Sequence, residues 1–329
     1  MKIKNLHIKE FKGLRDISIN FEKNDKPLDL VVLAGSNGSG KTRILESILD
    51  YFQKIVNHIE NENVAGVFFE TDEQNCLNQG YDSNMLYLIL NYYNDENIVE
   101  RGRGRKVVEE NLKVFPKIIY VPTETNFQKV EIASPMLVRE YKFLNIVDTG
   151  LIKDVPSYIA TRIIEMANDQ EDTPMQEIRA AVFKEINEIF EILDLDIKIS
   201  GISKNAKSIP IFTNSAGDKF DINELSSGEK QLFLRTLAIR MLNPENSIIL
   251  IDEPELSLHP KWQQRIVDVY RKIGKNNQII IATHSPHILG SVRKENIMLL
   301  DKDSDGKIVV RTGDELYDSY GQPTDRVLK

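Results

Sequence analysis

Apolar residues follow two rhythms along this chain. Near the N-terminus, Lys2-Ile3-Lys4-Asn5-Leu6-His7-Ile8 and Asp16-Ile17-Ser18-Ile19-Asn20-Phe21 alternate polar and apolar side chains. A period of two marks half-buried strands, and two so close in sequence predict an antiparallel pair. Elsewhere the apolar runs are nearly unbroken: Leu28 to Leu33, Ser247 to Ile251, Gln278 to Thr283 and Asn296 to Leu300. Such runs suit strands covered on both faces, as in a parallel sheet. After the first of them, Ile44, Leu45, Ile48 and Leu49 share one face at helical spacing.

The middle of the chain divides in two. Residues from about 64 to 122 are β-rich, with Val64 to Phe69, Met85 to Leu90 and Lys117 to Val121 as strand candidates. From about 136 to 195 the period becomes helical, with Ile178, Ala181, Val182, Ile186, Ile189, Phe190 and Leu193 at three- and four-residue steps. The acidic stretch Asn168 to Asp172 separates two helices, and Ile197–Ile199 with Ile209–Phe212 suggests a hairpin. Apolar strands alternating with helices in the C-terminal part place the whole in the α/β class. The expected architecture is a single unit over 1–329. Residues 1–135 and 215–329 form a core lobe with an antiparallel β subdomain, and 136–214 form an inserted helical lobe.

Composition narrows the setting. A chain of 329 residues, 41% hydrophobic, can build a full core. One cysteine, Cys76, excludes an internal disulfide and points to a reducing compartment. The N-terminus lacks the apolar block of a signal peptide, and no apolar stretch approaches the ~20 residues that span a bilayer. A cytoplasmic protein with no membrane partner is expected. Net charge is −8, so DNA, although a possible partner, gains no support from the average charge. The densest basic cluster, Arg101-Gly102-Arg103-Gly104-Arg105-Lys106, reads as a solvated turn. No sustained heptad appears, which argues against a long coiled-coil arm.

Candidate chemistry sits at the ends of the buried runs. Gly35-Ser36-Asn37-Gly38-Ser39-Gly40-Lys41-Thr42 fits the phosphate-binding loop pattern, with a strand before it and a helix after it. Its glycines let backbone N–H groups curl around phosphates, Lys41 reaches the β- and γ-phosphates of ATP, and the Thr42 hydroxyl can hold Mg²⁺. Asp252 and Glu253 follow the strand ending at Ile251. Asp252, at the end of a strand expected beside the phosphate-loop strand, is the second Mg²⁺ candidate, and Glu253 the base for an attacking water. His284, just past the next strand, is placed to hydrogen-bond a γ-phosphate. Ser226, Ser227, Gly228 and Glu229 open an apolar helix with a capping-box pattern.

Taken in order, these motifs resemble an ABC-type ATPase head: Walker A at 35–42, signature at 225–231, Walker B at 248–253, D-loop at 256–260 and switch histidine at 284. Glu253-Pro254-Glu255-Leu256-Ser257-Leu258-His259-Pro260, Ala282-Thr283-His284-Ser285-Pro286 and the opening Leu6-to-Leu14 segment resemble the RecF/SMC/OLD-like branch and not transporter heads. The resemblance implies a head-to-tail homodimer, with ATP on the Lys41 side of one copy covered by Ser227 and Gly228 of the other. In that setting Gly228 would permit close approach to the γ-phosphate. It also implies a Mg²⁺-sensing glutamine, for which Gln128 is the candidate. Relatives work in anti-phage defence or DNA repair, and some carry a further C-terminal nuclease domain. With the sequence ending at Lys329, the effector, a nuclease or toxin, is expected to be a separately encoded protein. The other expectations are a RecF/SMC-like ATPase acting on DNA ends, or a slow-turnover scaffold that sequesters the effector.

One motif misleads. Asp301-Lys302-Asp303-Ser304-Asp305-Gly306 copies the start of a calcium loop, but the twelfth position is Thr312 where a bidentate Glu is needed. Apolar strand-like runs flank it, which predicts a hairpin turn.

Overall fold

The most apolar runs become the inner strands of one sheet. In the computed structural model, which describes residues 1–56, 67–70, 116–123, 143–203, 209–304 and 306–315, the first strands are β1 (Lys2–Phe11), β2 (Leu14–Asn20), β3 (Glu22–Lys23), β4 (Lys26–Pro27) and β5 (Leu30–Ala34). They are followed by β6 (Val67–Glu70), β7 (Ile118–Val121), β8 (Leu144–Ile146), β9 (Lys198–Ile202), β10 (Pro210–Thr213) and β11 (Lys219–Asp221). The last are β12 (Ile248–Asp252), β13 (Gln278–Thr283), β14 (Ile297–Lys302) and β15 (Ile308–Thr312). The helices are α1 (Lys41–Val56), α2 (Thr149–Asp169), α3 (Met175–Ile192), α4 (Ser227–Met241), α5 (Pro260–Gln263), α6 (Ile266–Arg271) and α7 (Pro286–Leu289).

Among the described residues, seven strands form the main sheet in the order β15-β14-β5-β13-β12-β7-β8. All neighbours pair in parallel except β14 and β15. Every residue of β5, β12 and β13 is buried, and strand alternation sorts their side chains into two cores. Val31, Leu33, Ile248, Leu250 and Ile280 join β1, β2 and α1 on one face; Val32, Ile249, Ile251, Ile279 and Ile281 join the helices on the other. On the helical side, Phe190, Phe212 and Phe233 pack with centroids 5.1 to 6.1 Å apart. Each such ring pair adds about 0.5–1.5 kcal/mol beyond its buried area, which fastens α3 and β10 to α4.

The N-terminal sheet, β2-β1-β6, is antiparallel as expected for its first pair, with Ile8 opposite Ile17. A buried glutamine ties it to the core. Gln278, at the start of β13, donates Nε2–H to the carbonyls of Ile3 and Leu28 (both 2.9 Å) and accepts from the Ile3 N–H (2.7 Å). A buried amide is tolerated there because its hydrogen-bonding groups are used.

β7 lies in the parallel core sheet beside β12. Three local features differ from the sequence expectation. β8, within the stretch expected to be helical, also pairs in that sheet, and the helix that follows it begins at Thr149. β10 pairs with β11 as well as β9, making three strands where a hairpin was expected. Helix α4 has no exposed face along most of its length, because it lies between the sheet and α2. The calcium-loop look-alike is a hairpin turn: the Asp303 N–H donates to the Lys307 carbonyl (2.9 Å), and Gly306 turns back at φ +75°. Met85 to Leu90, Cys76 and Arg101 to Lys106 lie outside the described residues. Among the described residues no helix is long and apolar enough to cross a membrane.

A buried lysine makes a pH signature. Lys117, 1% exposed, precedes β7 and donates to the Asn243 carbonyl (3.2 Å). Burial pushes its pKa down to about 8, against the pull of Glu245. The unfolded chain therefore holds the Lys117 proton more tightly, and this residue's contribution to stability rises with pH from about 8 toward its ordinary value near 10.5. Methionine does not titrate, so the melting temperature of Lys117→Met minus that of wild type should fall steadily over that pH window. A difference that stays flat in thermal scans across it would contradict the assignment.

Candidate functional site

Parallel strands direct their C-terminal ends to one edge, and this edge collects the polar residues. The loop after β5 runs directly into α1, so the first amides of that helix point back at the loop. Gly35, Gly38 and Gly40 have φ of +152°, +80° and +94°. A Cβ on Gly35 would lie 2.5 Å from the Leu300 carbonyl, whereas one on Gly38 would meet nothing within 4 Å. The loop is thus packed at its base and open at its tip. Lys41 folds its ammonium into that loop, donating to the carbonyls of Gly35 (2.8 Å) and Ser36 (3.0 Å). Ser39 is buried, and its hydroxyl has no hydrogen-bond partner among the described residues. A pocket of about 230 Å³ opens above, lined by Asn37, Gly38, Gly40, Lys41, Thr42, Arg43 and Glu253. Open amides, a buried ammonium and an unmet hydroxyl together suit a phosphate chain.

Asp252 ends β12. It was expected beside the phosphate-loop strand, but β13 lies between β12 and β5. The carboxylate still reaches across the intervening strand end: Thr42 Oγ1 donates to Oδ1 (3.0 Å), and Thr123 Oγ1 to Oδ2 (2.7 Å). Burial raises the Asp252 pKa above the ordinary carboxylate range, the two threonine hydrogen bonds pull it down, and Glu253 and Glu255 push it up. Desolvation lowers the Lys41 pKa, while Glu253, Glu255 and Asp252 oppose that shift. A threonine hydroxyl and one carboxylate form the sparse oxygen set that Mg²⁺ shares with phosphates, so the residues present fit that ion.

Glu253 takes a left-handed backbone, φ +42°. That conformation is uncommon for any residue but glycine and marks a constrained turn. It places the Glu253 carboxylate on the pocket wall, while Glu255 is buried beneath. His284, following β13, completes the group, with Nδ1 3.2 Å from Glu253 Oε1 and 3.4 Å from Glu255 Oε1. Among the sequence candidates, Lys41, Thr42, Asp252, Glu253 and His284 therefore converge on one edge. Gln128 lies outside the described residues.

The signature segment stands apart. Ser226 Oγ accepts from the Glu229 N–H (3.3 Å), and Glu229 Oε2 accepts from the Ser226 N–H (2.9 Å), a complete capping box. Glu229 is thereby occupied with its own helix end. Ser226 and Ser227 are exposed, and neither lines the pocket around Lys41. Gly228 is buried against its own chain, where a Cβ would lie 2.6 Å from the Ser257 carbonyl. Within this chain, the close approach that glycine allows is to the loop after β12.

Three residues at the site were not chosen from the sequence. Thr123, two residues past β7, holds Asp252. Arg235, 1% exposed inside α4, donates to the carbonyls of Pro122 (2.6 Å) and Thr123 (2.7 Å). A lone arginine within Leu232-Phe233-Leu234-Arg235-Thr236-Leu237 was the available signal of a buried charge. Glu255 had appeared only as part of a motif. Its Oε1 accepts from Thr283 Oγ1 (2.6 Å) and from the N–H groups of His284 (3.0 Å) and Ser285 (3.1 Å).

Residues 1–169 match the family described as "AAA ATPase domain", and residues 119–290 match "AAA domain, putative AbiEii toxin, Type IV TA system". The chain is 26% identical over 337 residues to the Septu protein PtuA of Bacillus thuringiensis, covering 94% of this chain and 78% of that one. It is 23% identical over 386 residues to the Retron Vc95 probable ATPase of Vibrio cholerae, covering 92% and 74%. Among solved structures, the SMC head domain from Thermotoga maritima aligns over 95% of this chain and 99% of that one, with a TM-score of 0.48 and 15% identity.

The two signature residues should respond differently to truncation or filling. Gly228→Ala forces the Ser257 carbonyl to shift and should cost about 1–3 kcal/mol. Ser227→Ala, at an exposed position, should stay within about 0.5 kcal/mol. Denaturant unfolding measures both, and equal stabilities would contradict the packing role of Gly228.

Proposed function

Because the chain belongs to the AAA ATPase domain family, as an ABC-type ATPase of its RecF/SMC/OLD-like branch, we propose that it hydrolyses ATP at Lys41, Asp252 and Glu253 in a nucleotide-gated head-to-tail dimer that controls a separate effector. The observation that carries this reading is the closure of Asp252 onto Thr42 and Thr123, with Glu253 facing the same pocket. Lys41 exchanges its two loop carbonyls for β- and γ-phosphate oxygens. Glu253 orients the attacking water and takes its proton. Thr42 and Asp252 hold Mg²⁺, which when bound neutralises charge on the phosphate oxygens. His284 contacts the γ-phosphate and reports its loss.

The exposed Ser226–Ser227 end of α4 lies off its own pocket, and a serine hydroxyl at a helix N-terminus suits an anion. It is therefore offered to the nucleotide held by a second copy. ADP lacks the γ-phosphate that joins the two surfaces, so hydrolysis weakens the clamp. Similarity to the Septu protein PtuA and to a retron ATPase supports a role in anti-phage defence, with a nuclease or toxin as the effector.

Glu253→Gln should spare ATP binding, lower turnover about 10²–10⁴-fold, and accumulate an ATP-bound dimer on sizing chromatography. Monomer alone in ATP and Mg²⁺ for both wild type and variant would refute the clamp.

A further inference from the structure

Glu255 is more than a loop fastener. Its Oε1 collects the Thr283 hydroxyl and the successive N–H groups of His284 and Ser285, and so shapes the turn that carries the histidine. The same oxygen lies 3.4 Å from His284 Nδ1, with Glu253 Oε1 3.2 Å from that nitrogen on the pocket wall. Two carboxylate oxygens facing one ring nitrogen are compatible only with a proton on that nitrogen, since two lone-pair donors would repel a bare one. The proton on Nδ1 fixes the ring so that its other edge, Nε2, faces away from the carboxylates, and the side chain is 46% exposed.

A turn cap would need only one neutral acceptor. Glu255 is instead a carboxylate, only 6% exposed, whose second oxygen, Oε2, is buried with no hydrogen-bond partner among the described residues. Leaving a buried carboxylate oxygen unsatisfied is unfavourable for scaffolding alone, and the charge has an evident use beside the imidazole. The surroundings hold it rigidly. Gln263 donates to the Leu258 carbonyl (2.9 Å) and accepts from Ser285 Oγ (2.6 Å), locking the loop after β12 to the turn after β13. That loop also carries the Ser257 carbonyl against which Gly228 packs.

We propose that Glu255 is the positioning residue of His284: it shapes the turn and adds its charge to that of Glu253, the hydrogen-bond partner of Nδ1, so that together they hold the proton there and aim Nε2 at the γ-phosphate. This rests on the ATPase reading above, with His284 at the γ-phosphate. Glu255→Gln keeps an acceptor for the turn and removes the charge, so it separates positioning from capping. The expected outcome is an unchanged melting temperature, a KM for ATP within about twofold, and a kcat lowered about tenfold or more, as for loss of a charge-assisted hydrogen bond. Adding the same change to His284→Ala should lower kcat no further than His284→Ala alone, because residues acting as one unit are not additive. Wild-type turnover in Glu255→Gln, or multiplicative losses in the double variant, would overturn the proposal.

A second readout is independent of turnover. In ¹⁵N spectra of the His284 ring, assigned with His284→Ala, wild type should show a protonated Nδ1, and Glu255→Gln should shift or split that signal. An identical ring spectrum in both overturns the positioning role even if no ATP is hydrolysed. Absence of Glu253-dependent turnover with an altered ring spectrum would instead overturn the ATPase reading and leave the positioning intact.

Discussion

Burial of the parallel sheet on both faces is the constraint from which the rest follows. With every apolar side chain of β5, β12 and β13 committed to one of two apolar cores, polar chemistry has no place in the middle of the strands. It is confined to their ends, and parallel pairing puts the C-terminal ends of all of them on one edge. The phosphate loop, Asp252, Thr123 and His284 are neighbours for this reason, although as many as 242 positions separate Thr42 from His284 (284 − 42).

The edge is electrostatically crowded, and its composition explains the burial of otherwise costly groups. Three carboxylates, Asp252, Glu253 and Glu255, act together on the Lys41 ammonium. Arg235 enters through α4 and donates to the backbone carbonyls of Pro122 and Thr123 at the end of β7. The guanidinium Nη2 donates to both carbonyls, while burial lowers the Arg235 pKa and Tyr270, Asp252 and Glu255 oppose that shift. The arginine fixes the strand end from which Thr123 reaches Asp252. The helix that presents Ser227 at its exposed end therefore also supports the Asp252 carboxylate that binds Thr42.

Much of the site was legible because its motifs are local. The glycine spacing from Gly35 to Thr42, and an acidic pair directly after an apolar strand, are chemistry written in consecutive residues. So was the capping box at Ser226, although Glu229 proved occupied with its own helix and Gly228 with Ser257. Thr123, Arg235 and Glu255 were not selected, because each acts through a contact made by a distant part of the chain. Likewise β8 and β11 are three-residue strands. Too short for a period to register, they form because a neighbouring edge accepts their hydrogen bonds.

By itself the sequence determined which segments are strands of a covered sheet, which loop has the phosphate-binding pattern, and which carboxylates follow it, since these depend on local period and on side-chain type. Only the tertiary structure decided that β13 separates β12 from β5, that α4 is enclosed on all sides, and that Glu255 and not a solvent water receives the turn bearing His284. Strand order and partner choice arise from the packing of whole faces against one another. No window of consecutive residues contains both sides of such a contact.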